Sequence, residues 1–127
     1  MKPEELRIGN WVCDEHGGED QVISIENNHM QREISEYATI DLKYYGTINI
    51  KDIYPIPLTP EWLERLGFGV GEGPNYKIFM RDRLMIEWSP QLGYYFEWED
   101  DEDYRKTSIQ HVHQLQNLYF ALTGEEL

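Results

Sequence analysis

The chain has 127 residues, with 24 acidic against 11 basic side chains, a net charge of −13, and 40% hydrophobic residues. At this length roughly two-thirds of the unfolded surface can be buried, so one domain, or two small ones sharing a core, needs no staple of metal or disulfide. The acidic excess removes the basic footprint that phosphate backbones and anionic membrane surfaces require, so neither direct nucleic-acid binding nor membrane association is expected.

Residues 1–57 hold 5 basic and 11 acidic groups and residues 58–127 hold 6 and 13, so the charge is evenly spread. Cys13 is the single cysteine and allows no internal disulfide. The opening "MKPEELRIGNW" lacks an apolar signal core and no apolar run reaches spanning length; the expected location is cytoplasmic.

From the start, "LRIGNWVC", "QVISIE", "YATIDL" and "YYGTINI" read as short strands through their alternating apolar residues. "DEHGGED" and "NNHMQRE" read as turns or loops between them. "KDIY" reads as one tight helical turn, after which "PIP" forces an extended exit. Such a series over residues 1–57 predicts a small closed barrel of SH3-like layout, since closure removes the exposed strand edges.

"PLTPEWLERLGF" then predicts a helix over residues 60–66. Thr59 is a good N-cap, Pro60 sits where a missing N–H costs nothing, and Gly67 can take the left-handed stop. Leu58 and Leu63 have the spacing of a hydrophobic staple. "GVGEGPN" reads as a loop, and "YKIFM", "RLMIEW" and "YYFEWE" as a three-stranded antiparallel meander. "DDEDYRK" is the expected solvated link to a last helix, with Thr107 and Gln110 as its capping box and Gly124 as its stop. The predicted fold is thus α+β, with an SH3-like barrel at 1–57 and an α-β-β-β-α lobe at 58–127 packed against it. The last helix is expected to lie across the meander and bury Val112, Leu115, Tyr119 and Leu122.

"HVHQLQNLYFALTG" raises the question of a metal pair. On a helix, residues two apart are separated by roughly 200°, so His111 and His113 are not expected to grip one ion. His111 falls at the edge of the apolar stripe, His113 on a polar face with Gln110, Gln114 and Asn117. Gln116 falls among apolar positions and is expected to bond the backbone of the sheet or barrel as a structural clamp, because an unpaired buried amide is costly.

Other constellations are weak. "GFGVGEG" lacks the lysine of a phosphate loop. "CDEH" sets Cys13 near His16, but Asp14, Glu15, Glu19 and Asp20 disfavour a thiolate. His29 stands alone, "EDDED" lacks the ligand spacing of a calcium loop, and no carboxylate pair is singled out. No catalytic residue, cofactor or metal is assigned. Trp11, Tyr44, Tyr45 and Tyr54 allow two readings, rings that pack the halves together or a groove that binds peptides, and packing is the preferred one.

"LRIGNWV", "IPLTPEWLERLGF" and "HVHQLQNLYFALTGEEL" resemble a family of small uncharacterised proteins of anaerobic gut bacteria and of their phages and mobile elements. The resemblance covers about a third of the chain and its closing block is the most specific. It implies a cytoplasmic accessory role and brings no activity or site residue. The expected function is a non-catalytic intracellular interaction module for a protein partner. The alternatives are an acidic decoy mimicking nucleic acid and a metal-dependent hydrolase built on scattered carboxylates.

Overall fold

A computed structural model describes residues 3–26, 38–82, 84–99 and 104–127. The expected loop "NNHMQRE" with His29, and most of the acidic run "EDDED", lie outside the described residues. The chain divides into two compact units. The first is Met1–Ile56 with His111–Glu126, and the second is Pro57–Gln110 with Leu127.

In the first unit a 3-10 turn, Pro3–Glu5, precedes β1 (Trp11–Cys13), β2 (Glu19–Glu26), β3 (Thr39–Leu42) and β4 (Gly46–Asn49). These strands pair antiparallel in chain order. Alternation puts Val12, Val22, Ile40 and Leu42 into a core shared with Leu6, Ala38, Ile50 and Ile53. The register shifts between Val22 and Ser24, a bulge in β2.

The expected SH3-like barrel is not what forms. The described strands make an open four-stranded sheet with β1 and β4 as its edges. After the 3-10 turn Ile50–Asp52 the chain meets β1 at one bridge only. There the Cys13 N–H donates to the Tyr54 carbonyl (3.0 Å) and the Tyr54 N–H to the Cys13 carbonyl (2.8 Å). Pro55 and Pro57 follow and have no N–H with which to continue a ladder, which is why the bridge does not grow into a closing strand.

The second unit begins with α1 (Pro60–Arg65), capped as its sequence predicts. The Thr59 hydroxyl accepts from the Trp62 N–H, and Gly67 takes φ +90°. Leu58 and Leu63 are both buried. The sheet that follows has five strands where three were expected: β5 (Gly69–Glu72), β6 (Lys77–Arg81), β7 (Leu84–Ser89), β8 (Gly93–Glu99) and β9 (Tyr104–Ser108), antiparallel in chain order. Phe79, Ile86 and Phe96 are directly opposed across β6–β8 and fully buried.

Two corrections to the predicted elements come from strand pairing. "GVGE" is a strand because each residue has a partner on β6, although glycines are poor strand formers. Thr107 is not a helix cap; it pairs with Phe96 in β9. The last helix, α2 (Val112–Thr123), therefore starts later, with extended backbone at His111, and the His111 N–H donates to Gln114 Oε1 (3.0 Å). Gly124 ends it at φ +74°, its N–H bonded to the Phe120 carbonyl.

α2 groups with the first unit and not, as expected, with the meander. It is tied there by amides. The Trp11 N–H donates to Gln116 Oε1 (2.8 Å), and Gln116 Nε2 donates to the Gly9 carbonyl (3.0 Å). Asn117 accepts from Asn10 Nδ2 (2.8 Å) and donates to the Glu5 carbonyl (2.6 Å). Arg7 lies 4.0 Å over the Phe120 ring and pairs with Glu126 at 2.6 Å. Val112, Leu115 and Tyr119 are buried, while Leu122, expected in the stripe, is exposed.

Candidate functional site

The β3–β4 turn of the first sheet carries two exposed tyrosines, Tyr44 and Tyr45, and a third, Tyr54, lies on the segment bridged to β1. Asp20 sits opposite Val12, is fully buried, and its Oδ2 accepts the backbone N–H groups of Tyr44 (2.8 Å) and Tyr45 (2.9 Å). Its Oδ1 accepts from the Gln21 N–H. One buried carboxylate thus holds the β3–β4 turn against β2, and charge-assisted bonds of this kind are the strong ones. The tyrosine side chains point outward: Tyr44 is 73% exposed, Tyr45 61% and Tyr54 45%.

The β1–β2 turn lies between them. Asp14 Oδ1 accepts from the Gly18 N–H (2.8 Å) and the His16 N–H (2.9 Å), and those bonds, Gly18 first, hold its carboxyl below the usual range. A Cβ on Gly18 would stand 2.9 Å from an Asp14 carboxylate oxygen and 3.2 Å from the Tyr45 hydroxyl, so its absence lets both groups approach. Tyr54 joins at Cys13, next to Asp14. Lys43 lies 5.2 Å over the Tyr44 ring. Trp11 is half-buried and shares the face of β1 that carries Cys13, opposite the core residue Val12.

The preferred reading of Tyr44, Tyr45 and Tyr54 as packing is therefore corrected by their exposure. The organiser, Asp20, was missed in the sequence because it appears there as one more acid in "DEHGGED".

Cys13 is not poised for attack. Burial, then the Asp14 and Glu19 carboxylates, push its thiol up, and its Sγ lies 3.5 Å from the Tyr54 carbonyl oxygen. His16 is 3.4 Å from Glu15.

The histidine pair departs from the helical-wheel expectation. His111 precedes the helix, so the wheel does not apply, and the two rings stack with centroids 5.8 Å apart at 23°. His113, assigned to a wet face, is 1% exposed. Its Nε2 is 3.3 Å from Glu5 Oε2, while its Nδ1 is buried without a partner. Burial holds this imidazole below its ordinary pKa, against the opposing pull of Glu5. Among the described residues no group of three His, Cys, Asp or Glu side chains is placed to hold a metal ion.

The second sheet brings together a carboxylate pair that sequence spacing did not reveal. Glu97 is buried and lies 3.2 Å from Lys106 Nζ, its partner across β8–β9. A hydrogen bond with Glu97, then burial, raises the pKa of Glu87. The two residues are ten apart in sequence, and only the β7–β8 register makes them neighbours.

Comparison of the chain with family models, with curated proteins and with solved structures found no match in any of the three. Among the described residues no helix is long and apolar enough to cross a membrane.

Proposed function

We propose that the chain is a non-catalytic protein-interaction module whose contact face is formed by Tyr44 and Tyr45 on the β3–β4 turn of the first sheet, with Tyr54 on the segment bridged to β1. The observation that supports this reading is the exposure of Tyr44 and Tyr45 on a turn held by a buried carboxylate, and of Tyr54 on the segment bridged to β1. Tyrosine supplies large, rigid contact area with little side-chain entropy to lose, which is why it is enriched at interfaces. Asp20 braces the backbone that carries Tyr44 and Tyr45, so less backbone freedom is lost on binding there. The setting we propose is cytoplasmic, in an accessory role of the kind suggested by the likeness of the closing block to small phage and mobile-element proteins.

The test compares affinity capture from native lysate by the wild type and by a Tyr44→Ser/Tyr45→Ser/Tyr54→Ser variant. A specific partner should be retained by the first and lost by the second, with unchanged melting of the variant. A partner held equally by both proteins would refute the assignment of the face. Capture that disappears in moderate salt would favour the acidic decoy, because exposed charge pairs are screened beyond about 10 Å at 0.1 M salt.

A further inference from the structure

β5 is the outermost strand of the second sheet and is bonded only to β6 among the described strands. Its outward backbone N–H and C=O groups face no further strand, a template for another chain. All four of its residues are exposed. Of the usual guards of such an edge, Gly-Val-Gly-Glu has its shortness and Glu72 at its end, but neither proline nor lysine. The opposite edge, β9, has Arg105 and Lys106 in its sequence.

The two glycines are not explained by the fold. Neither Gly69 nor Gly71 has a positive φ. A Cβ at either would meet nothing closer than the Met80 carbonyl at 3.8 Å or the Ile78 carbonyl at 3.9 Å, ordinary contact distances. Glycine inside a strand weakens it and frequently marks a place where another backbone or a ligand comes close. Here the register sets Gly69 against Met80 and Gly71 against Ile78, all on one face. The missing side chains open a trough of about 390 Å³ whose lining includes Ile78, Met80 and Tyr76. Met80 is 53% exposed within it.

We infer that the free edge of β5 docks an extended segment of a partner protein, one with large apolar side chains two residues apart between basic flanks. The backbone of that segment would extend the sheet, and its apolar side chains would lie over Gly69 and Gly71 onto Ile78 and Met80. Covering edge glycines with a large cross-strand ring is a known stabilising arrangement. Basic flanks follow from charge: the chain carries −13, which repels a second copy and attracts a cationic strand. This edge lies in the second unit and does not depend on the tyrosine face.

The test uses the full chain and the synthetic peptide Lys-Lys-Phe-Thr-Phe-Thr-Phe-Lys-Lys, followed by fluorescence anisotropy and by amide shifts of residues 69–72. Binding should perturb those amides. It should weaken about tenfold or more in Gly69→Gln and Gly71→Gln, which fill the trough without adding charge and which the backbone accommodates. Gly71→Ala, a smaller plug, should weaken it less while leaving the melting temperature intact. Replacing the phenylalanines by serine, or the lysines by glutamate, should abolish it. Affinity unchanged in both glutamine variants, unperturbed β5 amides, equal binding of the glutamate-flanked peptide, or self-association through this edge would each overturn the inference.

Discussion

Replacing Gln116 by leucine is expected to take from the Trp11 N–H its Gln116 acceptor and from the Gly9 carbonyl one of two donors, leaving it the Gln21 amide. A part-buried donor that loses its acceptor costs about 1–3 kcal/mol, and urea denaturation should show a loss of that size. His113 gives stability a pH dependence with a definite sign. Its folded-state pKa is lowered, so between that value and the unfolded value of about 6.5 the unfolded chain binds more protons. The stabilisation is complete above about 6.5 and is lost as pH falls through the folded-state pKa. Urea midpoints from about pH 7.5 to 5 should fall for the wild type and flatten for His113→Gln. Glu87 behaves oppositely. Its raised pKa means that stability is lost as pH rises through it, so Glu87→Gln should melt higher than wild type at neutral pH and equally in acid. The clamp role of Gln116 was legible because an amide stood where the wheel put apolar side chains. The burial of His113 was not, because the neighbour that meets it, Glu5, lies 108 residues away in the chain and no helical spacing reveals it.

At the scale of elements, Asp20 carries the tyrosine turn, and Asp20→Ala should strip partners from the Gln21, Tyr44 and Tyr45 N–H groups. A loss of about 2–4 kcal/mol in the urea midpoint analysis is expected, together with faster hydrogen exchange at residues 43–46. Asp20→Asn, which keeps one acceptor oxygen, should cost less. Some elements could be read directly. α1 has its cap, proline, staple and glycine stop within one short segment, and local chemistry alone specifies it. β5 could not be read, since glycine has low strand propensity and only pairing with β6 makes it a strand. The β9–α2 boundary was misplaced for the same reason. Thr107 and Gln110 look like a capping box until β8 offers Thr107 a ladder to join.

For the whole molecule, the decisive element is α2, because it groups with strands that all precede residue 50 in the chain. Ending the chain at Gln110 removes the buried Val112, Leu115 and Tyr119 along with the Gln116 and Asn117 bonds. At about 1.5–3 kcal/mol for each buried side chain, the loss of apolar burial alone is about 5–9 kcal/mol. That is comparable with the total stability of an ordinary domain, about 5–15 kcal/mol, so hydrogen-exchange protection in β1–β4 should disappear. Retained protection in the truncated chain would show that the first sheet is stable without the helix.

Local sequence was enough to specify the strand-rich first half, the α1 helix, the three central strands of the second sheet and the inward-facing amide of Gln116, because periodicity, caps and turns act over a few neighbouring residues. Tertiary structure alone decided that the first sheet stays open, that glycines form an edge strand, that Glu87 meets Glu97, and that the last helix groups with the first unit. Those outcomes depend on which distant backbone groups and side chains meet, and no local pattern encodes the meeting.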